Sequence, residues 1–522
     1  MSKHGLPQNR PFLRKAILAA ASGLLLALAF PKFELVYLVL VAFVPLFFSL
    51  ESERGMRAFW LGFIAGFLFY IISLFWITEA MRNYSDLDFV LSIIVLLLFV
   101  GYLASLIGAF ANIVSMSANS RLSVLTVPMF WVAIELVKAK IMSGFPWNNL
   151  NWAVYRQTTF IQIADALGGY GISFGLVAVN WLLYLAISRL MGRRSGPSIP
   201  RIAIALAVLL LFAWGYGHYR LSTPPPCTAS LKAGIIQPNI PQAMKLDSRF
   251  AWQMLQTYAQ LAEGLPLEEL DMAVLPEAAI TVAFNESRGA QSWVKQTFSD
   301  RGCPVLLSSV ATKDGGFTNS AFVVEPDGRT YRYDKVHLVP FGEYNPFPVL
   351  LHFIEVLAGY EGSLEKGEQH FVLPLDDILL GVPICYEIIF PEISREFVNN
   401  GADLICTLSN DTWFGETSGP YQHFSSAIFR AVENRIPVLR CANSGISGLI
   451  DATGRIVLET PIFVTRADVV QIDLRGGNSL FRKVGDLFAY LCLAGAILAG
   501  AILAGIKRAY FGAGSSAVGL FG

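Results

Sequence analysis

Long, nearly unbroken apolar runs restrict this chain more than any other feature does. A helix that crosses the hydrocarbon core of a bilayer needs about 20 predominantly apolar residues, with roughly 17–25 the working range. Leu35–Leu50, Phe59–Ile77, Phe89–Val114, Tyr170–Ile187, Ile202–Tyr216 and Leu487–Ile506 are runs of this kind, and Ala16–Phe30 and Leu122–Val137 are shorter ones. Pro31 separates the first pair into a tight helical hairpin, because proline has no N–H to continue a helix. No small-residue cleavage site follows Ala16–Phe30, so that run reads as a span and not as a removable signal segment. The expectation is a bundle of about eight transmembrane helices.

Composition agrees. Of the 522 residues, 54% are hydrophobic and 15% charged, against about a quarter charged in soluble domains. Lys+Arg and Asp+Glu number 39 each, and this zero net charge argues against a nucleic-acid partner. Cys227, Cys303, Cys385, Cys406, Cys441 and Cys492 show no CxxC pair and no metal-ligand spacing, so neither a metal nor a cofactor is expected. Lys and Arg collect in cytoplasmic loops. One set of loops holds Arg10, Arg14, Lys15, Arg54, Arg57, Arg121, Arg189, Arg193, Arg194, Arg201, Lys507 and Arg508. Both termini are therefore expected in the cytoplasm, with the long hydrophilic stretch outside. The expected layout is residues 1–220 for helices 1–7, with an amphipathic loop at 138–169. Residues 221–486 form an extramembrane domain, and 487–522 hold the eighth helix and a tail.

From Leu231 the periodicity changes. Strand-like runs at Leu231–Gln237, Asp271–Leu275, Val305–Val310, Ser320–Val324, Ile378–Ile384, Leu404–Leu408, Val438–Ala442 and Gly448–Ile450 alternate with helical stretches. Those stretches are Arg249–Glu263, Ala290–Asp300, Pro391–Asn399 and Tyr421–Asn434. Such alternation predicts a layered α/β domain.

Three strand ends in that domain carry polar residues out of keeping with the apolar runs before them: Glu277 after Leu275-Pro276, Lys335 after Tyr333-Asp334, and Cys385 after Pro383-Ile384. Singly, each has an ordinary reading, as a core thiol or a solvated surface charge. Together and in this order they resemble the Glu–Lys–Cys signature of the nitrilase superfamily. The resemblance is carried by Pro276-Glu277, Asp334-Lys335-Val336-His337-Leu338 and Cys385-Tyr386-Glu387, followed by Asn410-Asp411-Thr412-Trp413-Phe414-Gly415. With the spans, Gly144-Phe145-Pro146-Trp147-Asn148 and Pro340-Phe341-Gly342-Glu343-Tyr344, the whole chain is similar to the membrane-embedded branch, the bacterial apolipoprotein N-acyltransferases.

That resemblance implies an αββα sandwich on the periplasmic face of the inner membrane and a two-step transfer. A phospholipid would donate an acyl chain to Cys385, and the thioester would pass it to the α-amine of a diacylglyceryl apolipoprotein. A monomer is expected, with membrane lipids around it. The residue chemistry supports the same division of labour. Glu277 can move the protons, while Lys335 and the backbone N–H of Tyr386 can hold the oxyanion. Lys335 should also raise the thiolate fraction of Cys385. Glu343 and Glu387 are expected to orient Lys335 or assist proton transfer. Phe341, Trp147, Trp413 and Phe414 are the aromatic candidates for contact with acyl substrate.

Several stretches keep two readings. Lys138–Gly169, with Trp147, Trp152 and Tyr155, suits an interfacial aromatic belt or a floor for the site. Asn345–Gln369, rich in Phe347, Leu350, Leu351, Phe353 and Ile354, suits a core helix or a mobile arm over the acyl chains. Trp413 and Phe414 suit a lipid tunnel or the core. Cys406 and Cys441 read as core, and His337, His352, His370 and His423 show no metal spacing. A water-using membrane amidase is the runner-up function. A transporter or scaffold is a third reading, opposed by the intact triad.

Overall fold

The computed structural model describes residues 10–518 except 86–87, 119, 121, 194–196 and 346–362. The apolar part of the Asn345–Gln369 stretch therefore lies outside the described residues.

Among the described residues, five helices are long and apolar enough to cross a membrane: Arg10–Ala29, Met56–Ser73, Phe89–Ser117, Ala164–Leu190 and Ile199–Ser222. The helix Ser123–Lys140 carries Glu135, Lys138 and Lys140, and Leu487–Ile502 forms a shorter apolar helix. The run Leu35–Leu50 is not one helix. A 3-10 turn, Val36–Leu40, is followed by a short helix, Val44–Ser49, with Pro45 in its first turn. Proline is tolerated there because first-turn N–H groups have no helical acceptor. Backbone exposed by such a break must be satisfied inside the protein. Asn180 does this: its Oδ1 accepts from the Phe43 N–H at 2.9 Å and its Nδ2 donates to the Val39 carbonyl at 2.8 Å. The helices Met56–Ser73 and Phe89–Ser117 touch through small residues. A Cβ added at Gly62 would lie 2.4 Å from the Ala111 methyl, the close approach that small-xxx-small spacing allows.

Between the helices Ile199–Ser222 and Leu480–Val484 the described residues form twelve strands: β1 (Cys227–Gln237), β2 (Met272–Val274), β3 (Val305–Lys313), β4 (Gly316–Val324), β5 (Thr330–Asp334), β6 (Leu373–Leu375), β7 (Ile378–Gly381), β8 (Leu404–Ser409), β9 (Val438–Ala442), β10 (Gly448–Ile450), β11 (Ile456–Glu459) and β12 (Arg466–Arg475). They form two six-stranded sheets, ordered β12-β1-β2-β3-β4-β5 and β11-β10-β9-β8-β7-β6. The central strands β1, β2 and β3 run parallel, as do β7, β8 and β9.

Side chains alternate along each central strand, as a pleat buried on both faces requires. Ala233, Ile235, Met272, Val274 and Leu306 join Leu404, Cys406, Leu408 and Cys441 in one core between the sheets. Ile236, Ala273, Val305 and Leu307 face a second core with Met254 and Tyr258 of helix Ala251–Glu263 and Trp293 of helix Arg288–Thr297. Helices Pro391–Asn399 and Gly419–Asn434 cover the other sheet. The result is the expected αββα sandwich.

Helix Gly419–Asn434 is buried on nearly every side, between its sheet and the membrane helices. Its polar residues must therefore find partners in protein. Arg435, at its end, pairs with Asp165 of helix Ala164–Leu190 at 2.6 Å, and Arg220 of helix Ile199–Ser222 reaches the same carboxylate at 2.7 Å. This shared acid ties the sandwich to two membrane helices.

Candidate active site

Parallel strands deliver their side chains to the carboxyl ends of the sheets, where loops are held by a rigid frame. Glu277 follows β2, Lys335 directly follows β5, and Cys385 follows β7 at the start of a 3-10 turn, Cys385–Ile389. All three are buried, and the three side chains meet.

The Lys335 ammonium donates to Glu343 Oε1 at 2.8 Å and lies 3.8 Å from Glu277 Oε1. Glu277 is held from two sides, by the Asn410 backbone N–H on Oε2 at 2.9 Å and by Asn319 Nδ2 on Oε1 at 2.9 Å. The Glu277 carboxylate neighbours the Cys385 thiol, and Ser409 Oγ stands 3.7 Å from Sγ. Cys385 adopts φ 53, a left-handed conformation uncommon for a residue with a side chain and met at functional turns.

Lys335 acts on Cys385 in the expected direction, lowering the thiol, but burial and the neighbouring Glu277 carboxylate outweigh it and push the thiol well above its ordinary pKa. Burial alone would lower Lys335, but Glu343 and Glu277 outweigh it and hold the ammonium charged.

Glu387 does not touch Lys335. It accepts the N–H groups of Val336 at 2.8 Å, His337 at 2.9 Å and Ile384 at 2.8 Å, together with the Tyr333 hydroxyl at 2.9 Å. One buried carboxylate thus clamps the lysine loop to the cysteine loop. Tyr386 directs its hydroxyl to the Gly144 carbonyl at 3.2 Å, and its backbone N–H has no acceptor among the described residues. The Leu364 and Gly367 N–H groups donate to the Glu343 carbonyl at 2.9 Å and the Lys335 carbonyl at 2.7 Å. Burial lowers His337 to about 4, and its ring packs on Phe390 at 4.0 Å.

The segment around Trp147 lies under the cysteine turn. Trp147, Trp152 and Tyr155 are all buried, so these rings form no belt facing lipid. Trp147 stacks on His423 at 5.5 Å and meets Phe414 at 5.8 Å. Phe414 is buried, Trp413 is half-buried and Phe341 is 52% exposed. Cys406 and Cys441 are fully buried in β8 and β9.

Sequence reasoning missed several polar supports. His423 bonds the Cys385 carbonyl through Nε2 at 3.1 Å and Asp411 through Nδ1 at 2.9 Å, and Arg440 pairs with Asp411 at 2.6 Å. Burial would raise the Asp411 pKa, but Arg440 and His423 hold it well below the usual carboxylate range. Gln422 is a second knot. Its Oε1 accepts from Trp76 Nε1 at 3.0 Å and Trp147 Nε1 at 2.8 Å, and its Nε2 donates to the Pro31 carbonyl at 3.1 Å and the Ser73 carbonyl at 3.0 Å. Lys245, a third, donates to the carbonyls of Glu277 at 2.9 Å and Ala278 at 3.1 Å. Only the run Asn410–Gly415 gave a signal, and it assigned no role.

Comparison with known proteins divides the chain along similar lines. Residues 22–182 match the family described as apolipoprotein N-acyltransferase N-terminal domain, and residues 232–477 match the carbon-nitrogen hydrolase family. An apolipoprotein N-acyltransferase from Geobacter metallireducens is 37% identical over 490 residues, covering 92% of this chain and 94% of its own. Another from Allorhizobium ampelinum is 32% identical, covering 85% and 87%. Among solved structures, a carbon-nitrogen hydrolase from Helicobacter pylori is 17% identical with a TM-score of 0.37, covering 47% of this chain and 89% of its own.

Proposed function

The chain belongs to the apolipoprotein N-acyltransferase family, and on that premise we propose that its chemistry runs through a thioester on Cys385. It is a membrane acyltransferase that N-acylates lipoproteins, with a lipid as donor. The proposal concerns the residues, the intermediate and the two substrates.

In the first half, Sγ of Cys385 attacks the ester carbonyl of a membrane phospholipid while Glu277 takes the thiol proton. Lys335 and the Tyr386 N–H stabilise the tetrahedral oxyanion, each such donor contributing roughly 100- to 1000-fold in rate. The C–O bond then breaks and Glu277 returns the proton to the lysophospholipid oxygen. In the second half, the α-amine of a diacylglyceryl-cysteine attacks the thioester, Glu277 accepts its proton, and the C–S bond breaks to release N-acylated lipoprotein. The departing thiolate recovers a proton, which closes a ping-pong cycle. A neutral resting thiol fits a base that acts during attack, and burial keeps water from competing as acceptor.

One observation carries this reading: a carboxylate, an ammonium and a thiol from three separate loops share one buried pocket, with Lys335 Nζ 3.8 Å from Glu277 Oε1. Glu343 fixes Lys335, Glu387 fixes the loops, and Trp147, Phe414, Trp413 and Phe341 are proposed to line the path of the acyl chain. One chain supplies all of these groups, so the proposed working unit is a monomer. By loop charge, we place residues 221–486 on the periplasmic side of the bacterial inner membrane. Residues 1–220 and 487–522 would then form the membrane part, with both termini cytoplasmic.

The test uses purified protein and acyl-labelled phospholipid, with mass spectrometry for an adduct on Cys385 and then addition of a diacylated lipopeptide. Transfer of label to the peptide amine is the expected result, and Cys385→Ala should form no adduct. Release of free fatty acid without transfer would favour a hydrolase, and labelled lipopeptide formed by Cys385→Ala would end the thioester mechanism.

A further inference from the structure

Lys245 lies 32 positions before the proposed base in sequence, touches its main chain, and has no part in the mechanism above. It ends a short helical turn, Gln242–Lys245, is 7% exposed, and makes no ion pair among the described residues. Its two acceptors are the main-chain carbonyls of Glu277 and Ala278, at 2.9 and 3.1 Å. Ala278 has φ 50, a conformation that needs holding. The same helical turn supplies Gln242, whose Oε1 accepts from Asn410 Nδ2 at 2.8 Å while the Asn410 N–H binds Glu277 Oε2 at 2.9 Å. Burying an ammonium without a paired carboxylate is unfavourable by several kcal/mol, and an apolar side chain of equal length would avoid that. Unpaired buried charge concentrates where chemistry needs it.

We propose that Lys245 is a positioning residue for the Glu277 base: its two hydrogen bonds, to the Glu277 and Ala278 carbonyls, fix the turn that aims the carboxylate. The inference rests on Glu277 being the base. Titratable groups facing Glu277 are Lys335, Cys385 and Glu343, whose Oε1 shares the Asn319 amide with Glu277 Oε1. Asp411 acts on Cys385, and Cys441 lies beside Lys245. Burial drives Lys245 down to about 7, with Glu277 opposing.

The experiment measures thioester formation with labelled phospholipid for the full-length protein and for Lys245→Met, Lys245→Arg and Glu277→Gln. Lys245→Met should form the thioester roughly 10- to 100-fold more slowly at neutral pH, the scale of losing charged hydrogen bonds. Lys245→Arg, which keeps donors for both carbonyls, should recover most of the rate. A native rate in Lys245→Met, or a folded Lys245→Arg as slow as Lys245→Met, overturns the proposal. If Lys245→Met does not fold, Lys245→Gln, which keeps a donor of shorter reach, is compared with Lys245→Arg in the same way. Glu277→Gln separates the two claims: undiminished acylation removes Glu277 as base, whereas an inactive Glu277→Gln beside a native-like Lys245→Met removes only Lys245.

Discussion

Replacing Gln422 by leucine tests how the membrane helices are fastened to the cysteine. Four hydrogen bonds end on this side chain, from Trp76 and Trp147 and to the carbonyls of Pro31 and Ser73. Ser73 O keeps a second donor, Ser418 Oγ at 3.2 Å. Gln422→Leu therefore strands three buried groups: two indole N–H donors and the Pro31 carbonyl. At about 2 kcal/mol for each stranded group, the loss is about 6 kcal/mol. Burying the extra apolar surface of leucine returns about 2, leaving about 4 kcal/mol. At about 2–4 °C per kcal/mol for a domain of this size, the midpoint of thermal unfolding should fall by about 8–16 °C. The assay is tryptophan fluorescence of detergent-solubilised protein, since both indoles sit at the mutated site. Gln422→Glu adds a sign test. The new carboxyl keeps both acceptor roles, and its folded-state pKa is raised by burial. Its stabilising contribution is then fullest below the unfolded value and is lost as pH rises through the folded one. The Glu variant should accordingly be less stable at pH 8 than at pH 5. A leucine variant within about 2 °C of native protein, or a Glu variant indifferent to pH, would refute the reasoning.

Glu343→Gln removes the closest counter-charge to Lys335, 2.8 Å away, and should slow thioester formation by roughly 10- to 100-fold while leaving the fold intact, checked by single-turnover labelling. Alkylation of Cys385 by iodoacetamide should be slower at pH 7 than that of a free thiol and should accelerate as pH rises, because burial and Glu277 raise the thiol. Lys335→Met should slow it further by removing the group that opposes them, and fast alkylation below neutrality would contradict this. Asp165→Asn takes the charge from between Arg435 and Arg220 and should destabilise by about 3–5 kcal/mol, read from the same fluorescence melt.

The elements most legible in the sequence were those whose local chemistry agreed with their environment. Helix Pro391–Asn399 opens on a proline suited to its first turn, and β9 and β10 are short apolar runs; all three appear with the expected bounds. Strand β12 went unread because Arg466–Asp468 and Asp473–Arg475 form ion pairs along it that mask the buried alternation of Val470, Ile472 and Leu474. Strand β5 was hidden similarly by Arg332–Asp334. The break within Leu35–Leu50 is stabilised by Asn180, more than a hundred positions away in sequence, which no local window reveals. At the site, Glu277 and Cys385 were visible because each follows an apolar strand, and Lys335 through the run Asp334-Lys335-Val336-His337-Leu338. Lys245 belongs to none of the motifs read in the sequence, and the partnership of His423, Asp411 and Arg440 exists only after three distant segments fold together.

The first and last strands of the sandwich are neighbours at one margin of a sheet. β1 and β12 run antiparallel in register from Cys227 opposite Arg475 to Gln237 opposite Arg466, so the incoming and outgoing chain stand about 5 Å apart. The whole sandwich is thus topologically a single loop between two apolar helices, Ile199–Ser222 and the one that begins at Leu487, entering and leaving through one doorway. Such a module can be lifted out and its ends rejoined by a few residues without stretching the bundle.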